Sequence, residues 1–446
     1  MLSNKDVIAL GMMIFALFLG AGNIIFPPME GYLSGTQWSW AALGFILTGV
    51  MMPFVTLVIV AIRGKGEALS KDLPQWAQVM FWVTLYLIIG PTFAAPRVTN
   101  VAYEMAWLPL GLSNPENATS HVVFAVGFVL IGMYFMLRKN AMISTIGEVM
   151  TPLLLLLLAI VAIRVIQVPL SAVQAPAQAY AQGSPLVIGM VGGYQTMDLL
   201  AAMAFGGLVA NVMRARQVND ARRVIRYTLK AGMVSLVCLS LLYTSLFYMG
   251  ATSHAVAQGA DNGGQIFSRY VNELFGTAGV WMMSGIVMLA NLTTLVGVIS
   301  SASDYFSRLL PGIRYPVWVV IFTAMTAFVA EMGLTTLLRV TIPALLLIYP
   351  VAIMLVVLQF LRPYLGDIKR TYHVVIGVTV LFSAIDSLNN LGWLPASVNS
   401  TLSHLPLYQE QLAWLAPALI TLLIMFFRGK ALKVSSDTRT TGEETA

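Results

Sequence analysis

Apolar stretches of about 20 residues, the length of helix that crosses a hydrocarbon core of ~30 Å, recur along almost the whole chain. Twelve are legible, over roughly residues 7–33, 38–62, 75–108, 121–138, 143–166, 186–212, 224–250, 275–306, 316–334, 338–361, 372–392 and 411–428. Lipid offers no partner for a free backbone N–H or C=O, so spanning segments must satisfy those groups internally. Runs of this length predict helices. With 58% hydrophobic and 10% charged residues and a mean hydropathy of +0.81, the chain cannot be a soluble domain, whose charged share is nearer ~25%. An all-α polytopic membrane protein with about twelve transmembrane helices is expected.

The basic residues give the expected orientation. With the N-terminus placed inside, 21 of the lysines and arginines fall on inward segments, and 4 (Arg97, Arg164, Arg269 and Arg339) fall outside. That bias follows the positive-inside rule, supports an even number of spans and puts both termini in the cytoplasm. The net charge of +6 therefore reflects topology, and no nucleic-acid partner is implied. The opening segment carries only Lys5 before its long apolar run and has no small-residue cleavage pattern, so it reads as span one and not as a removable signal. The lone Cys238 excludes an intrachain disulfide, and the four histidines lack metal-ligand spacing and read as surface or interfacial residues. There is no Gly-rich Lys-Ser/Thr nucleotide loop, which argues against ATP-driven transport by this chain alone. No His/Cys/carboxylate cluster suggests an enzyme.

Span one is interrupted at its centre by Gly20-Ala21-Gly22-Asn23-Ile24-Ile25-Phe26-Pro27-Pro28. Glycines and prolines that free backbone groups at membrane depth are tolerated where something else takes up the bonds. Span six carries a second interruption, Gly189, Gly192 and Gly193 followed by Tyr194-Gln195-Thr196-Met197-Asp198. The two breaks lie five spans apart, and an odd offset inverts the second copy, as in secondary transporters built from inverted repeats with sites where broken helices meet. Residues 1–434 then form one transmembrane domain. Repeat one covers about 6–167 and repeat two about 186–361, with two appended helices over 372–428 and a disordered tail over 435–446.

Several of these runs also carry a family resemblance. Asp6-Val7-Ile8-Ala9-Leu10-Gly11, the run from Phe15 through Gly20-Ala21-Gly22-Asn23 to Pro28-Met29, Gly90-Pro91-Thr92-Phe93-Ala94-Ala95-Pro96-Arg97 and Gly193-Tyr194-Gln195-Thr196-Met197-Asp198 closely resemble the bacterial branched-chain amino acid carriers of the BrnQ type, the leucine/isoleucine/valine:cation symporter family. The resemblance runs from about residue 6 to about 428. It implies a leucine-transporter (LeuT-like) fold of five plus five inverted helices, discontinuous at helices 1 and 6. It also implies Na+- or H+-coupled symport of leucine, isoleucine and valine across the bacterial inner membrane. Another neutral amino acid or a nucleobase, moved by the same fold, is the alternative cargo.

The chemistry of the breaks fits such a cargo. A zwitterion in a low-dielectric site needs donors for its carboxylate and acceptors for its ammonium. N–H groups of Ala21, Gly22 and Asn23 at the start of a half-helix suit the carboxylate. Carbonyls near Phe18, Gly20, Gly193 and Tyr194 suit the ammonium or a cation. In span eight, Ala290-Asn291-Leu292-Thr293-Thr294 resembles the Ala-x-x-Thr-Ser pattern that completes a sodium site in the wider fold. The resemblance implies Na+ ligands at the carbonyls of Ala16, Leu19 and Ala290 and the hydroxyls of Thr293 and Thr294, with Li+ or H+ as possible substitutes. Phe18, Asn23 and Thr196 are candidates for a second cation site beside the substrate.

Ionisable residues within spans are functional candidates by default. Asp198 can accept a proton, compensate a cation or cap the second half-helix of span six together with Thr196. Glu148 and Asp386 are weaker candidates, and Asp386 is expected to pair with Asn389 or Asn390. Arg97 and Glu104, seven residues apart on one face of span three, read as an outer gate or as an ordinary pair at the headgroup boundary. Phe93, Tyr194, Phe205 and Ile286 are possible pocket-lining residues. The segments 167–185 and 251–274 are expected to cover the outer face. No obligate protein partner is evident.

Overall fold

The computed structural model describes residues 3–112, 118–138, 151–215 and 220–428. Glu148, the start of the fifth apolar stretch and the tail over 435–446 lie outside the described residues. Within them the chain is helical throughout, and helix occupies each of the twelve expected stretches. By length and composition, seven of the described helices can cross a bilayer, or eight if the bent pair Pro185–Tyr194 and Asp198–Phe205 is one span. Pro152–Gln167, Tyr315–Ala330 and Leu415–Arg428 are shorter apolar helices. Below, the helical stretches are called spans one to twelve in chain order.

Besides the bent pair of span six, three spans are broken or kinked where the sequence weakens the helix. Span one consists of Asn4–Phe18 and Ala21–Ser34, with Leu19 and Gly20 outside helical geometry between them. Span three bends at Gly90, whose backbone leaves the helical region just before Pro91. Thr92 Oγ1 takes up the carbonyl of Leu87 at 2.7 Å there. The long helix Gly263–Leu309 is kinked at Gly276, with φ +60°, a left-handed conformation that glycine adopts without steric cost. An N-terminal arm is thereby separated from span eight proper, close to the expected start at residue 275.

Packing between spans repeats with an offset of five. Both halves of span one pack along span seven (Ala221–Ala251), and both halves of span six pack along span two (Trp38–Ile46 and Met52–Arg63). Adding five to the first member and subtracting five from the second converts one pairing into the other. Span three against span eight, and span four (Ala118–Leu137) against span nine, are pairings that map onto themselves. Span ten (Leu334–Leu361) packs chiefly on span eleven (Ile368–Asn390), outside that symmetry.

Without a hydrophobic drive between helices in lipid, close backbone approach through small residues does much of the joining. A Cβ on Gly189 would stand 2.1 Å from Ala41 O, so spans two and six touch backbone to backbone. The outer surface carries large apolar side chains such as Phe328, Leu241 and Trp281, as a lipid-facing exterior requires.

The loops after spans two, eight and ten meet at one end, where Arg362 Nε lies 2.9 Å from Asp72 Oδ2 and Arg308 Nη2 3.4 Å from Glu67 Oε1. At the opposite end, segment 174–180 lies over the turn between spans one and two. Thr36 N–H donates to Gln174 O at 2.9 Å, Ala177 N–H donates to Leu33 O at 2.8 Å, and Tyr180 donates to the Glu30 carboxylate.

Candidate functional site

The two breaks meet. In span one, the first half-helix closes with Leu19 N–H on Phe15 O at 2.9 Å, and Gly20 is extended. Asn23 then folds back on the break. Its Oδ1 accepts Gly20 N–H at 3.0 Å, and its own N–H donates to Gly20 O at 3.2 Å.

These two bonds have a consequence one turn earlier. In an unbroken helix Gly20 N–H would serve the carbonyl of Ala16, and Asn23 N–H that of Leu19; both donors are diverted here. Ala16 and Leu19 therefore keep carbonyl oxygens without their i+4 donors. Further along, Pro27 and Pro28 supply no N–H for Asn23 and Ile24 O.

The side chain of Asn23 also ties span one to spans six and seven. Nδ2 donates to Asp198 Oδ2 at 2.7 Å and to the hydroxyl of Tyr243, which itself donates to Asp198 Oδ2 at 3.1 Å. All three residues are buried.

Span six breaks between Tyr194 and Asp198, and its halves are bent by 42°. Met197 holds φ +63°, a left-handed conformation that costs a non-glycine residue about 1–2 kcal/mol. Thr196 Oγ1 donates to Gly193 O at 3.0 Å and accepts Asp198 N–H at 3.3 Å, fastening both sides of the break. Tyr349 of span ten closes it from behind, since its hydroxyl accepts Leu199 N–H at 3.2 Å and its ring stacks on Tyr194 at 4.5 Å.

Span eight presents Thr294 to the other break. Thr294 Oγ1 is 3.6 Å from where a Cβ on Gly20 would stand. Thr293 and Thr294 Oγ1 donate to Ala290 O at 2.7 and 3.0 Å, gathering three oxygens, and each hydroxyl keeps lone pairs for a cation. Hard, neutral oxygens of this kind suit Na+.

The second proposed cation site is less open. Asn23 Oδ1 accepts Gly20 N–H and Thr196 Oγ1 accepts Asp198 N–H, so each has one lone pair fewer to offer a cation. Phe18 is buried at the end of the first half-helix.

Arg97 does not sit in an outer vestibule. It is 3% exposed and reaches the break of span six, where Nη1 donates to Gln195 O at 2.7 Å. Its Cζ lies 5.2 Å from the centre of the Phe26 ring. Nη2 is against Gly22, 2.8 Å from where a Cβ would be. The kink at Gly90 and the wholly buried helix Ala94–Ala102 carry it there. Glu104 instead accepts Asn262 Nδ2 at 3.2 Å, at the cap of the N-terminal arm of span eight, so the two residues hold different partners.

Asp386 also differs from expectation. Its Oδ1 accepts Ala413 N–H at 3.3 Å, which ties span eleven to the start of span twelve and leaves Asn389 and Asn390 out. Ile286 borders a small apolar gap with Ile24, Leu158 and Phe267, and Phe93 and Phe205 are half-buried. Tyr243, Tyr349, Gln195 and the Glu30–Tyr180 pair escaped the sequence reading. The available signal was a tyrosine in an apolar span, whose hydroxyl needs a partner when buried.

The likeness to known proteins covers the same ground. Residues 3–432 match the sequence model of the branched-chain amino acid transport protein family. The chain is 61% identical over 432 residues to the branched-chain amino acid permease BrnQ of Haemophilus influenzae, covering 97% of this chain and 99% of that one. It is 38% identical over 428 residues to the branched-chain amino acid transport system 2 carrier protein of Pseudomonas aeruginosa, covering 95% and 96%.

Among solved structures, Mhp1, a nucleobase-cation-symport-1 family transporter, superposes with a TM-score of 0.61 at 14% identity, covering 97% of this chain and 93% of that one. MhsT in complex with L-phenylalanine gives 0.54 at 14% identity, covering 94% and 98%. These likenesses concern the fold, which is that of the leucine-transporter type. With the meeting of its two broken helices and the match along nearly its full length, the chain belongs to the branched-chain amino acid transport protein family, a family of transporters and not of enzymes.

Proposed function

We propose that the protein is a secondary active symporter that carries leucine, isoleucine and valine into the cell together with a cation, by alternating access. The bacterial inner membrane, with both termini cytoplasmic, is the proposed setting. The observation that carries the reading is the dual role of Asn23. Its side chain joins the breaks of spans one and six through Asp198 and Tyr243, and its capping bonds leave the carbonyls of Ala16 and Leu19 without helical donors.

Those carbonyls, with Ala290 O and the hydroxyls of Thr293 and Thr294, form the proposed Na+ site. Half-helix N–H groups of Ala21 and Gly22, first in their helix and without an in-helix acceptor, face the substrate carboxylate. The carbonyls of Gly193 and Tyr194 lie on the ammonium side. The similarity to the Haemophilus permease and the Pseudomonas carrier supports branched-chain cargo. One methylene in an apolar pocket is worth only ~1–3 kcal/mol, so the three amino acids are expected to share the site.

The test is uptake of radiolabelled leucine into proteoliposomes under an inward sodium gradient, a proton gradient alone, or neither. Sodium-driven uptake that excess isoleucine or valine abolishes is the expected result. Uptake driven only by protons overturns the sodium site and makes Asp198 the coupling residue. Failure of leucine to move under any gradient, in protein that moves another solute, overturns the branched-chain reading.

A further inference from the structure

A buried guanidinium without a direct ion pair stands between the two breaks. Arg97 is 3% exposed, and among the described residues it enters no ion pair. Its contacts are one hydrogen bond from Nη1 to Gln195 O at 2.7 Å and the face of Phe26, 5.2 Å from Cζ. Nε is enclosed and has no hydrogen-bond partner.

A cation held this way at membrane depth is costly unless a counter-charge joins it. Asp198 acts on Arg97 through space but makes no direct ion pair with it, and spends Oδ2 on Asn23 and Tyr243. The guanidinium thus keeps N–H donors that no group of the protein takes up, and an entering anion can use them. Nη2 of Arg97 lies beside Gly22, so the guanidinium and the first N–H groups of the second half-helix of span one converge on the same place. Only a residue without a side chain leaves that approach open. A planar fork of N–H donors next to a helix N-terminus suits a carboxylate, which it can hold by two parallel bonds.

Resting on the reading of the cargo as an amino acid, we propose that Arg97 is the fixed cation that receives the substrate's carboxylate. It supplies a positive charge beside the break, where Asn23 Oδ1 and Thr196 Oγ1 each already accept a backbone N–H. The site then complements a zwitterion with the protein's own charge on the carboxylate side.

The experiment compares an acid with its amide. Purified wild-type protein, Arg97→Gln and Arg97→Lys are tested for binding of labelled L-leucine, with unlabelled L-leucine and L-leucinamide as competitors at saturating sodium. The amide keeps the side chain and the ammonium and removes the negative charge. Wild type is expected to prefer the acid by about 100-fold or more, the scale of a charge-assisted bidentate contact. Arg97→Gln is expected to bring the two ligands within about threefold of each other. Arg97→Lys keeps the charge and loses the fork, and is expected to weaken leucine binding about tenfold while still favouring the acid.

A purely structural Arg97, fastening Gln195 O, predicts something different: weaker binding of both ligands with the acid/amide ratio unchanged. That ratio in Arg97→Gln overturns the proposal. If the glutamine variant does not fold, Arg97→Lys with wild-type leucine affinity and ratio overturns it equally. If wild type binds a different amino acid, the branched-chain reading fails, and the same comparison with that amino acid and its amide decides the role of Arg97.

Discussion

Asn23→Ala tests the junction of the two breaks most directly. The substitution removes the cap on Gly20 N–H, a bond of 3.0 Å, and a lost side-chain cap costs about 1 kcal/mol. It also removes the 2.7 Å bond to Asp198 Oδ2. Stranding a buried acceptor costs about 1–3 kcal/mol. Tyr243 still donates to the same oxygen at 3.1 Å, which favours the lower part of that range. The total is about 2–3 kcal/mol, a factor of roughly 30–150 in an equilibrium constant.

That change belongs to local opening, so amide hydrogen exchange read by mass spectrometry is the suitable assay. Peptides covering residues 19–24 and 196–200 are expected to exchange faster by that factor, while peptides from Leu334–Leu361 stay at wild-type rates. Tyr243→Phe leaves the Asn23 bonds to Gly20 and Asp198 in place and removes one hydroxyl that accepts from Asn23 and donates to Asp198, worth about 1 kcal/mol or roughly fivefold. Unchanged exchange in Asn23→Ala, or a larger effect from Tyr243→Phe, refutes the assignment of Asn23 as the tie between the breaks.

Other substitutions probe separate parts of the structure. Thr294→Ala removes one oxygen beside Gly20 and is expected to raise the sodium concentration for half-maximal uptake about tenfold, equivalent to ~1.4 kcal/mol. Unchanged sodium dependence in proteoliposomes rejects that site. Gly189→Ala places a Cβ 2.1 Å from Ala41 O, and such overpacking costs about 1–3 kcal/mol. Its thermal midpoint in detergent should fall below wild type, whereas Gly285→Ala, where nothing stands within 4 Å, should not; equal midpoints for the pair contradict the backbone contact. Tyr180→Phe frees the Glu30 carboxylate and should loosen segment 174–180, with exchange at the amides of Thr36 and Ala177 rising about fivefold for ~1 kcal/mol and the peptide over 196–200 unaffected.

The breaks were legible because glycine and proline change what the backbone can do, whatever surrounds it. Gly20 and the pair Pro27-Pro28 announce lost helical bonds in any context, and the run around Gly193 does the same less sharply. The depth of Arg97 was hidden for the opposite reason. Sequence bias assigns arginines to span ends, and the kink at Gly90 that carries this one inward shows its effect only in three dimensions. Asp386 found a backbone N–H from span twelve because neighbours in sequence compete with neighbours in space, and spacing sees only the first. Tyr243 and Tyr349 sit in long apolar helices where one aromatic looks like another. Nothing in their spans marks which hydroxyl meets Asp198 or Leu199. The threonines of span eight remain double in character, since bonding back to Ala290 O is also what a threonine does in any helix.

The five-span offset in packing has the symmetry of a see-saw. Spans one, two, six and seven form two seams, one–seven and six–two, that are images of each other turned upside down. If these spans tilt as a body against spans three, four, eight and nine, the gap that widens at one face of the membrane narrows at the other. The Asn23–Asp198–Tyr243 junction joins spans one, six and seven, members of both seams, as a fulcrum would. Its bonds can persist through such a tilt, whereas opening both faces at once would have to tear them apart.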